Sequence, residues 1–430
     1  MIFLFVHQNF PAQYRHLVRH LAEQPENKIY FISQPNGNHI EGVEKITYER
    51  NAGGLAACHP LTADIDEAIR TGAAVAEVCR LLKDHRVQPD IIVGHNGWGE
   101  TLFVKDIFPD VPLLAYFEFY YRFRGADVEF DPEFDLVFSD PLRFRTRNAV
   151  NLMGFEAADW GHTATRWQRG LYPPDMQNRI TTLHEGVDTD FVIPDPAAWV
   201  KLSREELVLT RQDEVVTYVS RNLEPYRGFH IFMRALPEIL RRRPRAHVVI
   251  VGGDDVSYGS RPVPGTTYRE MMLREVGARL DFTRVHFVGQ IGYTTYLKLL
   301  QVSSVHVYLT YPFVLSWSFI EALSAGCLVV GSATPPVLEV LKDRLNGLVV
   351  DFFSPSGLAD RIDEVLDHPD RMQTLRHRAR QTAVDHFDLK RRQLALWEEL
   401  LDDVMHGRRP DRDRAPPILD RDVTGPLARA

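Results

Sequence analysis

Short apolar runs alternate along the chain with longer stretches in which apolar residues recur every three or four positions. In the first half, "IFLFV" (2–6) reads as a buried strand, followed by a loop and a helix over 12–22. "KIYFIS" (28–33) is the next strand, 64–87 has helical periodicity, and "PDIIVGH" (89–95) and "VPLLAYF" (111–117) are two more strands. "FDLVFS" (134–139) is a further candidate strand, and "RITTLHEGVD" (179–188) closes the half. Strands rich in Val, Ile and Phe that alternate with helices predict a doubly wound parallel sheet.

"FVIPDPAAW" (191–199) is proline-rich and aperiodic, which predicts a linker. Alternation then restarts. Strands are expected at "EVVTYVS" (214–220), "AHVVIVGG" (246–253), "VHFVG" (285–289), "VHVYL" (305–309), "CLVVGS" (327–332) and "NGLVVD" (346–351). Helices are expected over 229–243, 267–279, 293–301, 316–325, 355–367 and 389–405. The predicted organisation is α/β: a Rossmann-like domain over 1–192 and a second over 193–388, facing a central cleft. A helix over 389–405 is expected to pack back on the first domain. The Arg-, Asp- and Pro-rich tail over 406–430 is expected to be disordered. Two domains suit 430 residues, since single cores stop growing at roughly 250–300 residues.

Composition narrows the function classes. The apolar fraction of 44% and charged fraction of 25% are those of a soluble globular protein. A formal net charge of -8 argues against nucleic acid as a partner. The three cysteines, Cys58, Cys79 and Cys327, have no metal-ligand spacing, which points to a reducing compartment and a cytoplasmic protein. The histidines are scattered along the chain, and no metal site is assigned. No run approaches ~20 apolar residues, so no transmembrane segment is expected, and peripheral association with a membrane surface stays open.

Candidate chemistry sits just after predicted strands, where open α/β sheets bind ligands. In "VSRNLEPYRGF" (219–229), Arg221 and Arg227 lie six apart across a turn made by Pro225 and Gly228, with a helix opening behind it. Either the two guanidiniums and the helix N-terminus face one anion, or this is a solvated surface turn. Asn222 and Gly253, the latter in "VIVGGDD" (249–255), are candidate ligand contacts, although the glycines also suit a plain tight turn. Gly289 in "FVGQIGY" (287–293) offers backbone that can read a nucleobase edge. In "YPFVLSWSFIEALSAGCLVVGS" (311–332), Ser316 is placed at a helix N-cap, which would aim the N–H groups near Leu315 and Ser316 at a ligand. Glu321 is the segment's one charged side chain. With no basic neighbour in that segment, it is read as accepting from a ribose diol rather than from protein donors. In the first half, His7, Gln8, Asn9 and Gln13 follow one strand, His95 with Gly97 and Gly99 ends another, and Glu118 follows a third among aromatics. Aromatic faces with scattered polar groups suit sugars, although each aromatic alone also suits a core.

Together these motifs resemble the retaining glycosyltransferases of family 4, which have the GT-B fold. The resemblance is strongest over 215–367 and looser over most of the chain. The family's "GR…KG" is matched by Arg221 and Arg227, its "FLG" by "FVG" (287–289), its "EGFGLxxLEAMAxGxPVVxS" by "FVLSWSFIEALSAGCLVVGS" (313–332) and its "PEVVxxGxNGLLV" by "LEVLKDRLNGLVV" (338–350). "HEGVDTDF" (184–191) is similar to the family's "NGVDT.F", and "HQNFPAQ", "GHNGWGE" and "FEFYYR" are similar to a bacterial subgroup with an N-terminal HQNFPxQ motif. Glu321 falls on the second glutamate of the family's E-x7-E motif, which holds the ribose. Phe313 stands where the first would be, Val314 and Ser316 replace a glycine pair, and Glu118 lies nearest the position of a histidine common in the family.

The resemblance implies transfer of a sugar from a nucleotide diphosphate sugar to an acceptor hydroxyl, with retention, in glycan, polysaccharide or glycoconjugate biosynthesis. The donor is a substrate, so no cofactor is implied. The acceptor would be a glycan, a lipid-linked molecule or a small molecule. Arg221 and Arg227 would neutralise the departing diphosphate without metal, Glu118 would act beside the reacting hydroxyl, and His95 and Gln13 would bind acceptor. Two rivals keep the fold: a nucleotide-sugar epimerase, and a non-catalytic nucleotide-binding subunit prompted by Phe313. An NAD-type Rossmann enzyme is disfavoured because the first strand lacks GxGxxG.

Overall fold

Side chains of consecutive strand residues point to opposite faces, so a strand apolar at every position needs cover on both sides. β1 (Ile2–Val6) shows this directly. Phe3 and Phe5 pack with Leu17, Val18 and Leu21 of the helix Arg15–Ala22 and with Trp397, Leu400, Leu401 and Val404 of the chain's last helix, Leu394–Met405. Leu4 and Val6 pack on the opposite face with Val75, Val78, Cys79 and Leu82 of the helix Ala63–Asp84.

The computed structural model describes residues 1–50, 58–134, 139–202 and 206–414. The chain forms two compact units, one of Met1–Gly186 with Leu389–Pro416, the other centred on Val187–Asp388. In the first, β1, β2 (Lys28–Ser33), β3 (Val43–Thr47), β4 (Ile91–His95), β5 (Leu113–Tyr116), β6 (Trp160–Thr163) and β7 (Ile180–Thr182) form a seven-stranded sheet, order β3-β2-β1-β4-β5-β6-β7, with every pairing parallel. In the second, β8 (Trp199–Leu202) and β9 (Leu207–Thr210) form an antiparallel pair. β10 (Val215–Asn222), β11 (His247–Gly253), β12 (Val285–Gly289), β13 (Val305–Tyr308), β14 (Val329–Ser332) and β15 (Leu348–Val350) form a six-stranded parallel sheet, order β12-β11-β10-β13-β14-β15. In each sheet the winding direction reverses once, at β1/β4 and at β10/β13. Ligand sites in open α/β sheets lie at the carboxyl ends of strands beside such a reversal.

Several expectations need correction. The division falls at Gly186, and the proline-rich 191–199 belongs to the second unit, where Val192 joins a core and the Gln301 side chain donates to the Ile193 carbonyl at 2.8 Å. The tail is ordered over 406–414: Thr182 N–H donates to the Arg412 carbonyl at 2.8 Å, and Asp413 pairs with Arg166 and Arg169. Sequence periodicity missed the helix Pro369–Phe387 because its apolar stripe is thin, with Met372, Ala379, Ala383 and Phe387 as its buried apolar residues. Arg376 and Arg380 on that helix donate to the carbonyls of Ser303, Ser304, Gly326, Ser324 and Thr189. The candidate strand over 134–139 falls mainly on residues outside those described, and Ser139 already begins the helix Ser139–Ala157. Among the described residues no helix is long and apolar enough to cross a membrane.

Candidate functional site

In the second unit the sequence-selected residues gather at the carboxyl ends of β10, β11 and β13. Arg221 and Asn222 end β10. Arg221 is exposed and, among the described residues, makes no hydrogen bond or ion pair. Asn222 is buried and donates to Ser257 Oγ at 2.9 Å. It pairs with Gly253 across the ladder, where a Cβ would stand 2.6 Å from Asn222 Oδ1. Gly289, at φ +67, ends β12 with open space around it.

Of the two alternatives for the Arg227 turn, the solvated surface turn does not hold. Arg227 is 8% exposed. Its Nη1 donates to Thr310 Oγ1 at 2.8 Å, to the Val314 carbonyl at 3.0 Å and to Tyr308 Oη at 3.3 Å. The Tyr258 ring lies over the guanidinium at 5.1 Å. Gly228 allows this burial: it sits at φ +67, and a Cβ there would come within 2.4 Å of Leu309. Sequence reasoning missed Glu224, which is buried and accepts from the backbone N–H groups of Ser257, Tyr258 and Gly259 at 3.0–3.1 Å. It ties the turn after β10 to the loop after β11 and holds Tyr258 against Arg227.

Ser316 occupies the N-cap position of the helix Trp317–Ser324, but its hydroxyl bonds Ser318 Oγ instead of capping. Its N–H is already donated to Tyr308 Oη at 2.9 Å. Among the described residues the buried Leu315 N–H has no hydrogen-bond partner. Glu321 is not the isolated carboxylate the segment suggested. Tyr293 Oη donates to Oε1 at 2.7 Å and Tyr296 Oη to Oε2 at 2.8 Å. Those partners lie 25 and 28 residues upstream, where no local pattern reveals them. Phe313 packs on Tyr226 and Tyr258, with ring centroids 5.4 and 5.0 Å away.

In the first unit, three histidines follow one local rule. His7, His95 and His184 lie at the carboxyl ends of β1, β4 and β7, each in an H-x-N or H-x-G tripeptide. Each Nδ1 accepts the backbone N–H two residues on: from Asn9 at 2.8 Å, Gly97 at 3.0 Å and Gly186 at 2.9 Å. A ring nitrogen that accepts carries no proton, so each neutral ring presents Nε2–H. Burial, helped by His95, holds the His7 imidazole well below its ordinary pKa, and burial with His16 brings His184 to about 4.

His7 and His95 face each other across the β1/β4 reversal, with ring centroids 4.8 Å apart. Trp98 stacks on His95 at 4.2 Å. Glu118, after β5, brings Oε2 to 3.5 Å from His95 Nε2 and accepts from Gln13 Nε2 at 3.4 Å. Its backbone carbonyl accepts from the buried Gln168 at 2.7 Å, which fixes the segment. Glu100 is fully buried. Its Oε1 accepts the Gln8 N–H at 3.1 Å, and burial raises its pKa. The predicted residues thus form two groups, one per unit. Arg221, Asn222, Arg227, Gly253, Gly289, Leu315, Ser316 and Glu321 lie in the second, and Gln13, His95 and Glu118 in the first.

Residues 25–192 match the family described as Glycosyl transferase family 4 group, and residues 201–382 match Glycosyl transferases group 1. D-inositol 3-phosphate glycosyltransferase of Corynebacterium aurimucosum is 26% identical over 49% of this chain and 47% of its own length. GDP-mannose-dependent alpha-(1-6)-phosphatidylinositol monomannoside mannosyltransferase of Mycolicibacterium smegmatis is 28% identical over 54% of this chain and 57% of its own. The chain spans about half the length of these curated relatives. Among solved structures, sucrose-phosphate synthase from Thermosynechococcus elongatus superposes with a TM-score of 0.70 at 17% identity, covering 94% of this chain and 99% of that one. HepE from Anabaena in complex with UDP-glucose gives 0.67 at 17%, covering 94% and 100%. At such identities the likeness concerns the fold, which is GT-B.

Proposed function

We propose that this chain, which matches Glycosyl transferase family 4 group over 25–192 and Glycosyl transferases group 1 over 201–382, moves a sugar from a nucleotide diphosphate sugar to an acceptor hydroxyl with retention at the anomeric carbon. The reading rests most on the pair at the β10/β13 reversal. Arg221 is exposed and, among the described residues, its side chain is unpaired, while Arg227 is buried and donates from Nη1. Two guanidiniums beside one strand end, Arg227 held in place and Arg221 exposed, can take up the charge that develops on a departing diphosphate. The second unit would bind the donor, with the Leu315 N–H assisting and Glu321 on the ribose. The first unit would bind the acceptor, with Glu118 and His95 beside its hydroxyl. Metal is not needed for this chemistry. Asp254 and Asp255, the one adjacent acidic pair near the site, pair with different arginines, Arg269 at 2.5 Å and Arg261 at 3.1 Å.

Turnover with a panel of UDP-, GDP-, ADP- and dTDP-sugars, beginning with UDP-glucose and GDP-mannose, tests this reading. The expected result is acceptor-dependent release of nucleoside diphosphate, retained configuration by NMR, and activity that persists in excess EDTA. Loss of activity in EDTA with recovery on Mn²⁺ would reject the arginine-based mechanism. One observation favours a second reading: Phe313 is built into an aromatic group, so that position carries no carboxylate. A non-catalytic subunit would bind nucleotide yet release none from any donor, and the same panel distinguishes it. An epimerase would instead convert its donor without an acceptor.

Glu321→Gln should weaken nucleotides with an intact ribose about tenfold, roughly the loss of one charge-assisted hydrogen bond. Ligands lacking a ribose hydroxyl should lose less. Stability should change little, because both tyrosine hydroxyls can turn to suit an amide. Equal weakening of both nucleotide classes, read by calorimetry, would make Glu321 a structural anchor for Tyr293 and Tyr296.

A further inference from the structure

The carboxyl edge of the first sheet carries polar atoms that its own fold leaves unused. His7 is 1% exposed and His95 is fully buried, and among the described residues neither Nε2 has a hydrogen-bond partner. Glu118 Oε2 stands at 3.5 Å from His95 Nε2, outside hydrogen-bonding geometry. The Gln13 side chain lies beside His7 without satisfying Nε2. Buried polar groups in folded proteins are nearly always paired, and an unpaired one calls for an occupant or a function. Beside these donors stands Trp98, a half-buried indole with His95 stacked on it.

Carboxylates outnumber cations among the charged groups around this edge. Tyr14, whose buried hydroxyl is also unpartnered, is held well above its usual pKa by burial and by the carboxylates Glu185, Glu100 and Glu118. Among the described residues the buried Glu100 Oε2 has no partner. The guanidinium whose charge reaches Glu100 is Arg50, which is already paired with Glu67.

We propose that this edge is the acceptor subsite of the transfer reaction and that it takes an uncharged, hydroxyl-rich ring, a sugar or cyclitol free of phosphate and carboxylate. The assignment rests on the glycosyltransferase reading for its role, but not for its chemistry. A hydroxyl both accepts and donates, so one oxygen can take Nε2–H from His95 or His7 and give its proton to Glu118. The ring's apolar face suits the indole of Trp98. A phosphate monoester can only accept. It would satisfy the imidazoles and then face Glu100, Glu118 and Glu185 in poorly solvated surroundings, where like charges repel strongly.

The test uses the full chain with a saturating nucleoside diphosphate present. Saturation-transfer NMR and calorimetry compare methyl α-glucoside with glucose 6-phosphate, and myo-inositol with myo-inositol 1-phosphate. The neutral member of each pair should bind, with its phosphate at least tenfold weaker. Trp98→Ala should lose neutral-ring binding. Glu118→Gln, conservative in size at a partly exposed position, should narrow the gap between each ring and its phosphate. Phosphates binding as tightly as their parents, an unchanged gap in Glu118→Gln, or no binding by any neutral ring would overturn the proposal. Nucleotide binding in the same samples reports on the second unit, so a failure there counts against the donor reading and not against this one.

Discussion

Arg227→Ala is expected to lower turnover with a competent donor by about 10²-fold, as loss of one donor to developing charge costs about 3 kcal/mol. The same change should lower stability, because burial leaves Thr310 Oγ1 and the Val314 carbonyl without the Nη1 donor. Leaving buried groups unpaired costs about 1–3 kcal/mol. Arg221→Ala gives the contrast. Arg221 is exposed and its side chain has no partner among the described residues, so its loss should reduce rate while the urea midpoint stays in place. Steady-state kinetics and urea unfolding of both variants separate the roles. If Arg227→Ala unfolds more readily but keeps its rate, Arg227 is an internal brace and the phosphate assignment falls.

Gly99→Ala should cost about 3 kcal/mol of stability and disturb the first unit's site with it. Gly99 has φ +94, where an L side chain costs about 1–2 kcal/mol. A Cβ there would also stand 2.2 Å from the Ala68 carbonyl oxygen. Ala68 is backbone of the helix Ala63–Asp84, so relief requires that helix to move, and overpacking of this kind costs about 1–3 kcal/mol. Gly99 lies between Trp98 and Glu100, so the strain falls on the stack with His95 and on the buried carboxylate. Gly125→Ala is the control: φ is +73, but no atom of the described residues lies within 4 Å of the added Cβ, so only the backbone cost of about 1 kcal/mol remains. Equal midpoints for the two variants in urea would show that the Ala68 contact yields freely.

The chain's local chemistry alone determined the two parallel sheets and where their ligand-facing residues stand. Runs such as "IFLFV" and "HVVIVGG" are apolar at nearly every position, which only a strand covered on both faces can use, and polar residues at their carboxyl ends mark the loops. The tripeptides HQN, HNG and HEG even encode a tautomer, since each imidazole meets a backbone N–H two residues on. What tertiary structure decided was the partner of each charged or polar group. A solvated turn at Arg227 stayed open in the sequence because Thr310 and Val314, which accept from it, lie 83 and 87 residues away. Glu321 looked unpaired because its two tyrosines sit on another helix. The tail looked disordered because its composition says nothing of Thr181 and Thr182, whose hydroxyl and backbone N–H donate to the carbonyls of Asp411 and Arg412. The physical reason is common to all three: periodicity records which face of an element avoids water, whereas a hydrogen bond or ion pair depends on what the fold brings opposite.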